Sequence, residues 1–397
     1  MERLLPVRAG RAAPFVSFAA CLCLLSPSRA QDIVVTAKKV VLATDAVLAD
    51  GAFLIRQGKV AFAGTDIPTE ARKKATVIDY GDAVIVPGFV LPPTTLGRDR
   101  DLAEASLPFT PDLRAIEAFD PWQEELAKLP AFGVTSLLLS PSPRNIAGGI
   151  GALVKPGQDN GVVATAEVHL ALSLTQVARN PERPPTSLMG AVDMLRSAFT
   201  MAKAGTGGGP DVAVLRSALG GSRRIVIHAD LHVELAAALD LAREFGFEPV
   251  LVGAREAEKV LPRIVAQKAA LVLEPLRPEQ RQAQLRLPTL LAEAGVPFCF
   301  GGRADQLRTS AVLAVRAGLD RKAALQALTR TPAQLFDQHT VVGSLRAGCG
   351  ADFLVFTGDP LDLTSAHVAT FIDGVRVFGE AGNAPKPHNA AAAAGAR

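Results

Sequence analysis

RRIVIHADLHVELAAALDLAREFGFEPVLVGAREAEKVLPRIVAQKAALVLEP, residues 223–275, decides the fold. Its three short apolar runs, RRIVIHAD, PVLVGA and AALVLEP, lack the alternation of a half-exposed strand and read as strands covered on both faces. Between them, VELAAALDLAREFG and REAEKVLPRIVAQ repeat apolar residues at helical spacing. Strand, helix, strand in that order requires parallel strands joined by right-handed crossovers. The alternation continues on both sides. Upstream lie a helical WQEELAKLPAFG (122–133), the buried strand VTSLLLS (134–140) and a helical PTSLMGAVDMLRSAFTMAKAG (185–205). Downstream, LPTLLAEAG, VPFCFG, RTSAVLAVRAG and RKAALQALTRTPAQLF carry it to residue 336. About 250 residues of such alternation, here 89–339, fit an α/β fold of the (β/α)8 TIM-like barrel type. A doubly wound sheet would give a similar pattern.

Outside this region the pattern turns to β. Residues 31–88 hold DIVVTAKKVVLA, the hairpin AFLIRQGKVAFAG with Gln57-Gly58 at its turn, and ATVIDYGDAVIVPGFV. Residues 340–380 hold VVGSLRAGCGADFLVF and VATFIDGVRVFG. Neither stretch offers enough strands to stand alone. The expectation is one small composite β-sandwich domain built from both termini. Residues 381–397 lack apolar periodicity and read as a disordered tail.

Hydrophobic residues make up 49% of the 397 and charged residues 20%, so the chain can bury a sizeable core and is not a disordered one. Aromatics are only 5%, which leaves the core to aliphatic side chains. The 42 basic and 39 acidic residues are too balanced for a nucleic-acid footprint. Residues 1–30 read as a secretory signal peptide. Arg3, Arg8 and Arg11 precede the apolar PFVSFAACLCLL, and Ser28-Arg29-Ala30 is a small-x-small cleavage site. That apolar run is too short to cross a bilayer of about 30 Å. The mature chain is therefore expected to carry no membrane span and to be exported, periplasmic or secreted. Cys21 and Cys23 leave with the signal. Cys299 and Cys349 remain and read as two unpaired thiols, too few for a thiolate zinc site.

The order of pieces resembles the metal-dependent amidohydrolase superfamily, in its imidazolonepropionase-like branch. Val86-Pro87-Gly88-Phe89 matches the lead into the first barrel strand, and Phe132-Gly133-Val134-Thr135 resembles A-G-V-T-T. Asn145-Ile146-Ala147-Gly148-Gly149, followed by Gly151-Ala152-Leu153-Val154-Lys155, resembles N-x-x-G-G…G-A-x-x-K. Ile227-His228-Ala229-Asp230 resembles the strand-five H-A-D segment. Val342-Gly343-Ser344-Leu345, Gly350-Ala351-Asp352-Phe353-Leu354-Val355, Gly358-Asp359-Pro360-Leu361 and Ile372-Asp373-Gly374 match the return to the β region and are the most specific group. The resemblance implies hydrolysis of non-peptide C–N bonds, or of peptide-like bonds in some branches. One or two divalent metals at the barrel mouth would lower the pKa of bound water to about 7 and polarise the scissile carbonyl.

The resemblance implies a ligand set of H-x-H after strand one, a His after each of strands five and six, and an Asp after strand eight. In PGFVLPPTTLG, Leu91 stands where the resemblance places an accompanying Asp, Pro93 at the first His and Thr95 at the second. Val252 stands at the strand-six His, and Arg303 at the strand-eight Asp, where it would repel a divalent cation. Only His228 is kept. Two readings follow. In one, the chain is a catalytically degenerate amidohydrolase with no cofactor, or a non-catalytic binding or scaffold protein that takes a small-molecule ligand at the barrel mouth. In the other, a rebuilt site holds a divalent metal such as zinc, with Glu167, His169 and Lys155 as its ligands and Asp99, Asp101, Asp230 and His232 as further candidates. A lysine such as Lys155 is carboxylated in some relatives. Glu167 and His169 lie two apart and would face the same side of a strand.

The plainer readings stand beside these. His228 also reads as a core histidine, Lys155 as a solvated lysine, His232 and Glu234 as a helix start facing solvent, and Asn145–Gly151 as a turn needing positive φ rather than a phosphate loop. No G-x-S-x-G appears for a serine-hydrolase elbow. The catalytic candidates are His228, Asp230 and Arg303. Arg303 is expected close to His228, filling the place of a metal with Asp230, Asp305 or Glu274 as its partner.

Overall fold

The structure is a computed structural model and describes residues 32–42, 46–157 and 160–379. The expected signal peptide and the tail lie outside the described residues. The chain first lays down β1 (Ile33–Val41), β2 (Val47–Arg56), β3 (Lys59–Gly64), helix α1 (Thr69–Lys74), β4 (Thr76–Asp79) and β5 (Val84–Pro87). After the barrel come β14 (Phe353–Phe356), β15 (His367–Ile372) and β16 (Val375–Phe378). These eight strands form one sheet, ordered β16-β15-β14-β5-β1-β2-β3 with β4 on β1, rather than the expected sandwich of two sheets. Its centre joins the two ends of the described chain: β14 pairs antiparallel with β5, Leu354 opposite Val86. Alternate residues Val35, Phe53, Ile85, Phe353 and Val355 form its apolar core. There the Phe353 ring stacks on Phe371 at 4.3 Å and meets Phe53 edge-on at 5.0 Å.

The second eight-stranded sheet is the barrel, nearly closed on itself. Its strands are β6 (Phe89–Thr94), β7 (Val134–Leu139), β8 (Ala147–Lys155), β9 (Val162–Ser173), β10 (Arg224–Ala229), β11 (Val250–Gly253), β12 (Ala270–Leu273) and β13 (Phe298–Phe300). Around it lie α2 (Glu124–Lys128), α3 (Leu188–Ala204), α4 (Pro210–Leu219), α5 (His232–Phe245), α6 (Leu261–Ala266), α7 (Gln282–Glu293), α8 (Ala304–Arg316), α9 (Arg321–Gln326) and α10 (Arg330–Leu335). Every residue of β7 is buried, as a strand covered on both faces requires. The helix ends follow local chemistry. The Ser187 hydroxyl caps α3 by accepting from Gly190 N, and the Asp320 side chain caps α9 by accepting from Ala323 N.

One strand departs from the βα rule. β8 runs antiparallel to both neighbours, while the other adjacent pairs are parallel. The glycine-rich stretch expected to turn is the start of this strand. Gly149 does have φ +121°, but inside the strand, where the 110–114 loop crosses so closely that a Cβ would lie 2.2 Å from the Leu113 carbonyl oxygen.

The barrel also has a seam. β6 and β13 are the sheet's two edges and do not pair among the described residues. α10 packs against both, and Val90 N donates to Leu328 O at 2.9 Å. Beyond α10, the fully buried Phe336 joins Val90, Leu138, Val226, Val250 and Cys299 in the barrel interior. Burying a ring of that size stabilises by about 2–3 kcal/mol.

Candidate functional site

Pairing of parallel strands fixes which side chains share the interior. Ser173, His228, Val252, Val272 and Cys299 stand opposite one another in successive strands β9 to β13. This row lies toward the strand C-termini, where barrel enzymes carry their chemistry. It contains one imidazole, one hydroxyl, two valines and a buried free thiol. The His228 ring keeps a little accessible surface, yet its Nε2 is buried without a partner. Burial pushes this imidazole down to about 4, so it is neutral near pH 7.

A second histidine lies within electrostatic reach of it. His169 is fully buried, with Nε2 3.0 Å from the Ser140 hydroxyl and its ring edge-on to Phe336 at 5.3 Å. Burial, and then the neighbouring His228, lowers it to about 3. To reach Ser140 the ring passes over Gly151, where a Cβ would stand 2.1 Å from His169 Cε1. A serine hydroxyl against an imidazole has the form of a nucleophile–base pair. Here His169 Nδ1 has no acceptor to orient it, and Ser140 is itself only 2% exposed, so the pair fills space inside the barrel.

Charge gathers just past the strand ends. Asp230 follows β10, Arg255 follows β11 and Glu274 follows β12. Arg255 Nη2 lies 3.1 Å from Asp230 Oδ2, and its Nε is 3.7 Å from Glu274 Oε2. One guanidinium thus spans the ends of three consecutive strands. Gly253 makes room for it: φ is +94°, and a Cβ would fall 2.1 Å from Asp230 Oδ1. Both carboxyls are raised above their ordinary value, mainly by burial, with Arg255 opposing the shift in each. Below them Glu234, 2% exposed, accepts from Asp230 N and Leu231 N and pairs with Arg179 at 2.7 Å.

Arg303 is not the cation at this mouth. It sits at the start of α8 with a side chain 80% exposed, bonded to its near neighbour Asp305 at 3.0 Å. The cause is local: two residues apart at a helix start, the pair meets without reaching into the barrel. Leu91 packs in the helix-facing core, so it does not look into the interior. Pro93 and Thr95 are partly exposed, and the Thr95 hydroxyl donates to Asp99 at 3.0 Å. The residues named for a rebuilt site are each engaged elsewhere. Lys155 is buried between Asp352 (2.8 Å) and Asp373 (2.6 Å), where barrel meets outer sheet. Glu167 is exposed and pairs with Arg223 at 2.6 Å. His232 pairs with Glu256 and Asp101 with Arg98. Among the described residues no three His, Cys, Asp or Glu side chains converge as a metal would need. A divalent metal of the superfamily's kind would meet one imidazole nitrogen, beside valine and with a guanidinium overhead; these residues do not fit it.

Sequence reasoning named Glu274 only as a possible partner of Arg303 and missed Arg255. The signal was present: Arg255 stands two residues past a strand end, between two other strand ends that each finish in a carboxylate.

A family profile described as "Amidohydrolase family" matches residues 296–378, from β13 through β16. "Amidohydrolase tasK" of Hapsidospora irregularis is 23% identical over 405 residues, covering 85% of this chain. The chain spans 41% of that relative's length. Among solved structures, an amidohydrolase from Thermotoga maritima MSB8 superposes with TM-score 0.78 at 24% identity, covering 88% of this chain and 100% of its own. The ochratoxinase of A. niger gives TM-score 0.56 at 18% identity, covering 89% and 97%. The family match over the last part of the described chain and these likenesses in sequence and fold support a place in the amidohydrolase superfamily.

Proposed function

We propose that this chain is an exported, catalytically degenerate member of the superfamily that keeps the barrel as a non-catalytic binding protein. By lineage its chemistry would be metal-dependent hydrolysis of non-peptide C–N bonds. The observation that carries the reading is the pairing of Arg255 with Asp230 and Glu274 above the row of Ser173, His228, Val252, Val272 and Cys299. The carboxylates that remain at the mouth already have a cation of their own, built into the chain. A hydrolytic water would need a metal or a free base near it, and the one imidazole on that row stands between Ser173 and Val252 with its Nε2 buried and unpartnered. Export rests on the reading of residues 1–30.

The test is elemental analysis, with hydrolysis assays, of the processed protein purified without chelator. Zinc, iron and manganese should total well below one ion per chain, with no turnover of acyl amides or cyclic ureides. A ratio near one ion per chain with hydrolysis lost on chelation would overturn the reading. Export is checked separately: the protein should be recovered outside the cytoplasm with Gln31 at its N-terminus.

A further inference from the structure

Beside the barrel seam, a crevice of about 440 Å³ opens between the end of β6 and the start of α8. That volume lies in the range of small-molecule sites. Its apolar lining is Leu91, Leu96, Leu129 and Phe132. Phe132 is 44% exposed, an aromatic surface left uncovered within a concave wall. Two charges of each sign stand on the lining: Glu125 and Lys128 from α2, Arg303 and Asp305 from the α8 side. Both cations hold exposed partners, Lys128 with Glu124 at 2.6 Å and Arg303 with Asp305 at 3.0 Å. Exposed pairs of this kind contribute little and can be exchanged for a ligand's charges at small cost.

We propose that the crevice binds a short apolar peptide in its zwitterionic form, such as a dipeptide of leucine-sized residues. This deepens the binding-protein reading above and rests on it. The apolar walls take the side chains. A ligand of single charge would leave one sign on the lining facing its like, whereas an ammonium and a carboxylate held apart on one small molecule answer both.

Isothermal titration of the processed protein with leucyl-leucine tests this, with octanoate and octylamine as singly charged probes of similar apolar bulk. Leucyl-leucine should bind, and each single-charge probe at least about tenfold more weakly. Lys128→Met and Arg303→Gln should each weaken the dipeptide about three- to fivefold, and Phe132→Ala about tenfold. All three positions are solvent-exposed, so circular dichroism should confirm unchanged folding. No dipeptide binding, equal binding of octanoate or octylamine, or unaltered affinity in all three variants would overturn the proposal. Chromatography of the recovered peptide separates the two readings: cleaved peptide refutes the non-catalytic function and leaves the site standing, while intact peptide that never bound refutes the site alone.

Discussion

Replacing Lys155 by methionine should be among the most damaging single changes in this protein. The ammonium is 7% exposed and lies between Asp352, 2% exposed, and Asp373, 52% exposed. Burial alone would lower its pKa, but Asp352 and then Asp373 outweigh that and hold it above its ordinary value. Methionine matches the length and apolar stem of lysine, so little cavity forms. What remains is the Asp352 carboxylate, buried beside a second acid and without its cation. Breaking a buried pair from one side costs about 3–5 kcal/mol. Burial already raises Asp352 above its ordinary range, and loss of Lys155 raises it further. A raised carboxyl is penalised only where it is ionised, so the deficit should be full near pH 7 and shrink as pH falls toward 5. Adding Asp352→Asn should recover a large part of it. Urea unfolding followed by far-ultraviolet circular dichroism suits the measurement, because the only tryptophan, Trp122, is 75% exposed and reports poorly on the core. A deficit under about 1 kcal/mol at pH 7, or no recovery in the double variant, would refute the reasoning.

Arg255→Ala should cost about 1 kcal/mol near pH 7, since the side chain is half exposed; the loss should diminish on acidification as Asp230 and Glu274 protonate, and Glu274→Gln should lessen it, both by urea titration. The wild-type protein should lose stability as pH falls from about 6.5 toward 4. His228 and His169 are lowered to about 4 and about 3 in the folded state, so the unfolded chain takes up each proton first and the folded state forfeits about 3 kcal/mol for each; His228→Gln should remove about half of that slope in titrations at pH 7 and pH 5. Gly151→Ala places a methyl where the His169 ring lies and should lower stability by about 1–3 kcal/mol, with His169→Ala in the same chain restoring part of it in thermal melts.

The parallel α/β layer was legible from residues 223–275 because strands covered on both faces leave unbroken apolar runs; its curling into a barrel was not, since a doubly wound sheet leaves the same pattern. The return of β14, Gly-Ala-Asp-Phe-Leu-Val, was equally clear. β8 was not. Gly149 serves a close crossing by the 110–114 loop and Gly151 makes room for the His169 ring, and both needs depend on partners distant in sequence. At the site, the identities of Pro93, Thr95 and Val252 already excluded imidazole ligands. Arg303 and Arg255 both follow strand ends, and the flanking strand-end carboxylates that mark Arg255 are set against the near neighbour that claims Arg303. Asp305 lies two residues from Arg303 and holds it outside, while Gly253 opens the approach of Arg255 to Asp230. Lys155 misled for a related reason: its partners Asp352 and Asp373 are some two hundred residues downstream.

The seam between β6 and β13 gives the chain a direction in time. The segment that fills it, residues 328–336, is made after all eight barrel strands, and β14, which completes the middle of the outer sheet, is made later still. Neither layer can finish before Leu328 and the strands that follow it have left the ribosome. Any truncation short of Leu328 leaves two unfinished sheet edges exposed at once and should be read by the cell as a target for degradation.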